Sequence, residues 1–405
     1  MALRLVGRGF GWLVGSGDWA IYEVMTDHGA IRVLDASLNR ATEGLRVVED
    51  YVRFVLDDRH LTEQFKRLRH DLAAAGALLP LAERHAARDT QADVGTTVST
   101  PSEGVRGDAW QVCVASLERV KQSLRSLEEY SKVAKPPATA DLRHAAGEFE
   151  RLRYWLYTLE AAAGRTVDAV ERLADARLYV LIDGGESEAA FVALVEELVA
   201  ARVSVLQLRA KGLDDRELLS RARRLVALAG QPPAPPGGCS GDGMDDRSRD
   251  YPPAETGDTN RAPLVIINDR PDIAVLADAD GVHLGQDDLR VKDARAIVGP
   301  RRLIGVSTHT IDQARAAVLN GANYLGVGPT FPSQTKSFDE FPGLEFVREV
   351  AAEIRLPAFA IGGITSQNVG QVMAAGLRRV AVASAVTEAA KPHAAATALR
   401  AVLHS

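Results

Sequence analysis

The chain has 405 residues, of which 46% are hydrophobic and 25% charged, with a formal net charge of −6. A single core stops growing at roughly 250–300 residues, so two or three globular domains are expected. The weakly acidic balance argues against nucleic acid as a partner, and no apolar run approaches the ~20 residues of a membrane span. Cys113 and Cys239 form neither a disulfide framework nor a metal-binding spacing, so we expect a cytoplasmic protein.

Residues 1–30 are expected to form a poorly ordered N-terminal extension. Glycines interrupt the apolar residues of MALRLVGRGFGWLVGSGDWA, which argues against a signal peptide.

A charged segment then occurs twice, 79 residues apart. ASLNRATEGLRVVEDYVR, from Ala36 to Arg53, matches ASLERVKQSLRSLEEYSK, from Ala115 to Lys132, at eight of eighteen positions. Apolar residues in both copies recur at spacings of three and four, which predicts amphipathic helices. With two further helical stretches, residues 31–165 are predicted to form an all-α helical bundle that contains a duplicated helix.

The duplicated helices also carry a charged face. Pairs spaced i,i+4, Arg46 with Asp50 and Glu49 with Arg53, predict ion pairs on a solvated surface. Among the differences between the copies, Asn39, Glu43 and Gly44 become Glu118, Gln122 and Ser123. Glycine within a helix costs about 0.5–1 kcal/mol relative to alanine, so Gly44 indicates close approach of either a ligand or a neighbouring helix.

Beyond residue 172 short apolar runs alternate with helical stretches. The eight runs are RLYVLID, VSVLQLR, LVIIND, DGVHLG, LIGVS, NYLGVG, PAFAIGG and RVAVAS. Alternating strands and helices imply parallel βαβ units, and eight units imply a closed barrel. Residues 173–405 are therefore predicted to form a (β/α)8 TIM barrel, which makes the chain α/β. The Pro-, Gly- and Asp-rich segment 230–260 is predicted to be a disordered insertion.

Polar residues follow these strands at the ends where such barrels place their active sites. Singly they are consistent with turns, helix caps or solvated loops. Together they predict a site for a diphosphate, because two of the carboxylates after the third and fourth strands, from Asp269, Asp287 and Asp288, can hold Mg²⁺ while Arg209, Lys211 and Lys336 neutralise phosphate oxygens. Backbone N–H groups after the seventh and eighth strands predict a second phosphate site.

The motifs QLRAK, IIND, DGVHLGQDDL, GVSTHT, GPTFPSQTK and AIGGI resemble the thiamine-phosphate synthase family in order and approximate spacing. That family joins hydroxymethylpyrimidine diphosphate to a thiazole phosphate and releases pyrophosphate. The resemblance implies Mg²⁺ at Asp269 and Asp288. It implies contacts to the pyrimidine diphosphate from Gln207, Leu208, Arg209, Ala210, Lys211, Asn268, Ser307 and Lys336. It implies contacts to the thiazole phosphate from Ser333, Gln334, Thr335, Gly363, Ala383 and Ser384.

The implied reaction is a dissociative displacement. Catalysis is assigned to stabilisation of the leaving pyrophosphate by Lys336, Ser307, Arg209 and Lys211, together with Mg²⁺. No general base is needed, and His309 is expected to be structural. The alternative for the barrel is the related thiazole tautomerase, which needs no diphosphate site.

The segments RVLDASLNRATEGLRVVEDYVRF, KRLRHDL and RDTQADVG resemble a family of hydroxymethylpyrimidine phosphate kinases that is often fused to such barrels. The resemblance implies a second activity that uses ATP and makes the diphosphate. No P-loop or kinase glycine loop accompanies it, so a non-catalytic dimerisation or scaffold bundle stays open, as does a homo-oligomeric state. Candidate phosphate ligands are Arg40, Arg46, Arg53, Arg69 and Arg88. Candidate metal ligands are Asp35, Glu49, Asp50 and Asp93.

Overall fold

The structure, a computed structural model, describes residues 16–90, 106–134, 141–230, 262–332 and 342–405, with side chains from residue 28 onward. The chain divides into two compact units. The first comprises Met1–Val55 and Thr62–Thr158, and the second comprises Leu56–Leu61 and Leu159–Ser405. The division between Thr158 and Leu159 falls inside a helix. None of the described helices is long and apolar enough to cross a membrane.

The first unit is helical. Its elements are α1 (Ser16–Phe54), α2 (Arg59–Gly76), α3 (Leu81–Ala86), α4 (Ala109–Val133) and the first part of α5 (Leu142–Arg172). Helix α1 begins at Ser16, so half of the segment 1–30 treated above as an extension is helical, whereas residues 1–15 lie outside the described ranges. The two copies of the repeat lie on α1 and α4.

The apolar positions of the repeat form the contact between α1 and α4. Leu45, Val48, Leu117 and Val120 are fully buried, as the spacing of three and four predicts. Gly44 lies at this contact, because a Cβ placed on it would lie 2.6 Å from Cγ2 of Val120 and 3.2 Å from the carbonyl oxygen of Ser116. The missing side chain at Gly44 therefore serves close helix packing and not ligand approach.

The second unit contains a closed barrel of eight parallel strands, in the order β1 to β8. The strands are β1 (Leu178–Ile182), β2 (Val205–Leu208), β3 (Leu264–Asn268), β4 (Gly281–Leu284), β5 (Leu303–Thr308), β6 (Tyr324–Val327), β7 (Ala358–Ile361) and β8 (Val380–Val382). The predicted (β/α)8 architecture is confirmed.

Helices alternate with the strands and cover the barrel. They are α6 (Glu188–Ala200), α7 (Asp215–Ala229), α8 (Pro271–Leu276), α9 (Val291–Val298), α10 (Ile311–Leu319), α11 (Gly343–Glu353), α12 (Val369–Ala374), α13 (Ser384–Thr387) and α14 (Pro392–His404). The insertion predicted at 230–260 lies between α7 and β3, and all of it except Gly230 lies outside the described residues.

The barrel interior is filled by side chains and is not a pore. Tyr179, Tyr324 and Phe359 pack together with aliphatic residues from neighbouring strands. The ring centroids of Tyr179 and Phe359 are 5.2 Å apart, and those of Tyr324 and Phe359 are 5.7 Å apart. A packed aromatic interior of this kind gives the strand ends above it a rigid base.

Candidate active site

The ends of β2 and β3 bring the first predicted site residues together. Gln207 is buried within β2, and its Nε2 donates to Oδ1 of Asn268, the last residue of β3, at 3.4 Å. Leu208 is buried as the final residue of β2, and the N–H of Arg209 continues the sheet by donating to the carbonyl of Ile182 at 2.8 Å. Arg209, Ala210 and Lys211 therefore leave the barrel at its carboxyl end.

Two carboxylates meet beside these cations. Asp269 follows β3 with a positive φ of 59°, and its N–H donates to the carbonyl of His283 at 2.8 Å. Asp288 is fixed by its Oδ2, which accepts from the N–H of Gly285 at 2.6 Å. Burial, and hydrogen bonding to Asp288, raise the pKa of Asp269 to about 6, while Lys211 and Arg209 oppose that rise. The four side chains thus form one electrostatic cluster.

The carboxylate pair fits a Mg²⁺ ion. Two carboxyl groups close enough to hydrogen-bond to each other destabilise one another when both are ionised, and a divalent cation relieves that repulsion. Mg²⁺ is commonly held by one or two carboxylates and takes its other ligands from water and substrate phosphate. Among the described residues there is no cluster of three or more His, Cys, Asp or Glu that could hold a metal.

Ser307 lies on β5 at the same end of the barrel. Its carbonyl accepts from Nε2 of Gln286 at 2.5 Å, and its hydroxyl lies 3.0 Å from Nε2 of His283. His283 is a residue that the sequence analysis did not single out. Burial, assisted by Arg209 and opposed by Asp288, lowers the pKa of this imidazole from 6.5 to about 4, so it is neutral at pH 7. The register of β3 and β4 places His283 directly opposite the predicted site residue Asn268, and this pairing could have identified it.

The ends of β7 and β8 hold the remaining predicted residues that the structure describes. Gly363 has a positive φ of 62°, and its carbonyl oxygen accepts a hydrogen bond from Nδ2 of Asn368 at 2.8 Å. A Cβ on Gly363 would lie 2.7 Å from the carbonyl oxygen of Pro332, so backbone packing by itself requires glycine here. Ala383 and Ser384 follow the adjacent strand, where Ser384 begins α13. The two predicted phosphate-binding segments are therefore neighbours.

Four predicted residues cannot be placed. Ser333, Gln334, Thr335 and Lys336 lie outside the described residues.

His309 contacts the main chain, since its Nδ1 lies 2.6 Å from the carbonyl oxygen of Gly328. That contact agrees with the structural role expected for it.

In the helical unit each copy of the repeat has a buried glutamate at the same position, and each glutamate forms an ion pair with an arginine of another helix. Glu49 binds Arg69 of α2 at 2.7 Å, and Glu128 binds Arg153 of α5 at 2.9 Å. Both carboxylates are buried. The expected surface pair of Glu49 with Arg53 is therefore wrong, and Glu49 is engaged in a structural pair that the next helix supplies. The pair of Arg46 with Asp50 is confirmed at 3.7 Å.

A second buried carboxylate exists only in the first copy. Asp35 accepts from Nε of Arg88 at 2.5 Å and from NH1 of Arg84 at 3.2 Å. The equivalent residue of the second copy is Val114. Two guanidinium groups already occupy the Asp35 carboxylate, which argues against its candidacy as a metal ligand. Asp93, another candidate, lies outside the described residues.

A pocket of about 580 Å³ adjoins this cluster. Helices α1, α2 and α3 and the turn between α2 and α3 line it with apolar side chains that include Leu38 and Leu79, and with polar side chains from Asn39, Glu43 and Arg84. In the second copy Asn39 and Glu43 are replaced by Glu118 and Gln122. Two of the pocket's polar side chains, Asn39 and Glu43, thus belong to the first copy of the repeat, and Arg84 comes from α3.

Comparison with known proteins agrees with both halves of this description. Residues 256–386 match the family profile described as thiamine monophosphate synthase, and residues 32–162 match that described as the ThiD2 family. A thiamine-phosphate synthase of Rhodopirellula baltica is 43% identical over 382 residues and covers 92% of each chain. One from Gloeobacter violaceus is 39% identical over 370 residues, or 91% of this chain and 95% of its own. The solved thiamine phosphate pyrophosphorylase of Pyrococcus furiosus is 28% identical with a TM-score of 0.45, covering 56% of this chain and 96% of that one.

A closed (β/α)8 barrel that gathers charged side chains at the carboxyl ends of its strands defines a TIM-barrel enzyme. The extent of the sequence matches makes the assignment more specific. The chain belongs to the thiamine-phosphate synthase family and is a transferase of thiamine biosynthesis.

Proposed function

We propose that the barrel joins hydroxymethylpyrimidine diphosphate to a thiazole phosphate, giving thiamine phosphate and pyrophosphate. The observation that carries this proposal is the cluster of Asp269, Asp288, Arg209 and Lys211 at one set of strand ends. Two cations beside a carboxylate pair suit a ligand that brings several negative charges and a divalent metal.

The residues act by stabilising charge. The pyrimidine methylene loses its bond to the diphosphate oxygen, the bonding electrons leave with pyrophosphate, and the thiazole nitrogen then supplies the electrons of the new C–N bond. Arg209, Lys211 and Lys336 bind the diphosphate, and Ser307 donates a hydrogen bond to it. Mg²⁺ bound at Asp269 and Asp288 would neutralise negative charge on the leaving group. Backbone groups at Gly363, Ala383 and Ser384, with Ser333, Gln334 and Thr335, receive the thiazole phosphate.

Substitution of Arg209 tests this assignment. Arg209→Gln keeps a polar side chain but removes the charge, and we expect synthase kcat/KM to fall by about 100-fold, as is usual for a lost charge stabiliser. Arg290→Gln is the matched control, because Arg290 is exposed and, among the described residues, forms an ion pair with the nearby Asp293 at 2.9 Å. Equal rates for the two variants would contradict the proposal, and conversion of a thiazole isomer without any diphosphate would favour the tautomerase alternative.

We further propose that the helical unit phosphorylates hydroxymethylpyrimidine phosphate, transferring the γ-phosphoryl group of ATP to its phosphate and releasing ADP. The pocket that Asn39 and Glu43 of the first copy help to line favours this second function over a scaffold. A scaffold needs only the apolar faces and the buried ion pairs, and gives no reason for Asn39 and Glu43 to line a pocket.

The repeat itself supplies the control for this second function. Glu43 and Gln122 occupy equivalent exposed positions of the two copies. In the full chain, supplied with the monophosphate, ATP and Mg²⁺, Glu43→Ala should reduce ADP formation by at least about 10-fold, whereas Gln122→Ala should not. Absence of substrate-dependent ADP formation in the parent protein would leave the scaffold as the account of this unit.

A further inference from the structure

A line of hydrogen bonds runs from the barrel interior to the candidate active site. The hydroxyl of Tyr179 lies 3.1 Å from that of Tyr324, which lies 3.2 Å from Nδ1 of His283. Nε2 of His283 lies 3.0 Å from the hydroxyl of Ser307. The four side chains come from β1, β6, β4 and β5, so the line crosses the barrel and ends at a residue of the site.

Burial fixes the direction of these bonds. Tyr179 is 3% exposed, and among the described residues Tyr324 is the one partner recorded for its hydroxyl. A buried donor without an acceptor is costly, so Tyr179 donates to Tyr324. Tyr324 is 2% exposed and directs its own proton to Nδ1 of His283 for the same reason.

The imidazole must then carry its proton on the other nitrogen. Since Nδ1 accepts from Tyr324, neutral His283 holds its proton on Nε2 and donates it to the hydroxyl oxygen of Ser307. A proton on Nδ1 would be donated to Tyr324 and would leave the buried hydroxyl of either Tyr179 or Tyr324 with no acceptor among the described residues. The hydroxyl proton of Ser307 is consequently free to point away from His283.

Two glycines make room for this arrangement. A Cβ on Gly305 would lie 2.0 Å from Cζ of Tyr324 and 2.4 Å from its hydroxyl oxygen. A Cβ on Gly326 would lie 3.3 Å from Cε1 of His283. Each glycine lies on a strand beside the ring that it admits, so the backbone is built around the positions of Tyr324 and His283.

We propose that Tyr179, Tyr324 and His283 are positioning residues that make the Ser307 hydroxyl a hydrogen-bond donor to the departing diphosphate. The proposal rests on the proposed synthase function for the identity of the acceptor. If His283 donates to Ser307, the Ser307 oxygen has an occupied lone pair and its proton is available to the substrate. The bond strengthens as negative charge develops on the leaving group, so its loss should lower kcat more than it raises KM.

The direction of the bonds can be measured without substrate. In the ¹⁵N-histidine-labelled full chain, the His283 signals are assigned by their absence in His283→Gln. The proposal predicts a protonated, pyrrole-type Nε2 and an unprotonated, pyridine-type Nδ1 at pH 7. A proton on Nδ1, or on both nitrogens, would overturn it. This result does not depend on activity, so it is separate from any failure of the proposed function.

A double-mutant cycle tests the consequence for catalysis. Tyr324→Phe removes the hydroxyl and keeps the ring, and should lower synthase kcat by about 10-fold, the scale expected for one hydrogen bond to a charged group. In a Ser307→Ala background the same change should cost less than about 2-fold, because the bond through which it acts is already gone. The same 10-fold loss in both backgrounds would overturn the proposal.

Phe359→Leu separates this effect from loss of packing. Phe359 packs against both tyrosine rings but takes no part in the hydrogen bonds. Any loss of rate from Phe359→Leu should be the same in the parent and in the Ser307→Ala background. If Tyr324→Phe behaves in the same additive way as Phe359→Leu, Tyr324 acts through packing and the proposal fails.

Discussion

At the scale of single residues, Asp269 shows most directly how the barrel creates its binding chemistry. Its backbone adopts a positive φ of 59°, which is uncommon for a non-glycine residue and better tolerated by aspartate than by bulky or β-branched side chains. This conformation occurs where Asp269 contacts Asp288 and lies near Lys211 and Arg209. Burial, and then the neighbouring Asp288, raise the pKa of Asp269, and a bound metal ion would offset this cost of ionising it.

Asp269→Asn should therefore weaken the binding of Mg²⁺. We expect synthase turnover to fall by at least about 100-fold and the Mg²⁺ concentration for half-maximal rate to rise, since one anionic ligand is lost. Asp312→Asn, at an aspartate with a side chain 85% exposed on α10, controls for removal of a carboxylate elsewhere. An unchanged Mg²⁺ dependence in Asp269→Asn would remove this residue from the metal site.

His283 should also make the stability of the protein depend on pH. Its folded pKa of about 4 lies below the ordinary 6.5, so the folded state binds fewer protons than the unfolded chain between these values. This contribution favours folding above pH 6.5 and is lost as the pH falls toward 4. Thermal unfolding across this range should show a shallower loss of stability in His283→Gln than in the parent. Parallel curves would show that the imidazole titrates normally.

At the scale of elements, the two copies of the duplicated helix, on α1 and α4, pack against each other through close approach of their backbones as well as through side chains. Gly44 lets α1 approach Val120 and Ser116 of α4, and the equivalent residue of the second copy is the buried Ser123. Small residues at a helix crossing permit short distances between backbones, and interiors this closely packed resist added volume.

Gly44→Ala should destabilise the helical unit by about 1–3 kcal/mol, because the new methyl overlaps Val120. Gly147→Ala on α5 is the matched control. Its Cβ would meet nothing within 4 Å, so the helix propensity of alanine should stabilise by about 0.5–1 kcal/mol. All four tryptophans precede β1, so denaturant unfolding followed by their fluorescence reports on this unit.

A second substitution decides whether overlap is the cause. Val120→Ala combined with Gly44→Ala should recover part of the lost stability, since it removes the clashing methyl groups. If the double variant loses more stability than the sum of the losses of the two single variants, the packing explanation is contradicted.

The sequence predicted elements well where a pattern is local and poorly where the partner is distant. The spacing of Leu45, Val48, Leu117 and Val120 gives their buried face, because helix periodicity is a local property. The pairing of Glu49 with Arg69 depends on how α2 packs against α1, and i,i+4 spacing suggested Arg53 instead. His283 was missed for a similar reason, since its importance follows from strand register and from Tyr324, 41 residues away.

At the scale of the whole molecule, the two proposed activities form consecutive steps. The helical unit would make a pyrimidine diphosphate and the barrel would consume it. The full chain supplied with pyrimidine monophosphate, ATP, Mg²⁺ and thiazole phosphate should therefore accumulate thiamine phosphate without added diphosphate. Asp269→Asn should accumulate the diphosphate instead, while Glu43→Ala should leave the monophosphate unconsumed.

The central claim is that the barrel condenses a pyrimidine diphosphate with a thiazole phosphate. The most direct measurement incubates the purified full chain with these two substrates and Mg²⁺, and quantifies thiamine phosphate and pyrophosphate in the same quenched samples. We predict that both products rise together in a one-to-one ratio, and that Asp269→Asn slows both alike. Pyrophosphate release without thiamine phosphate, or no consumption of the diphosphate by a folded protein, would contradict the account.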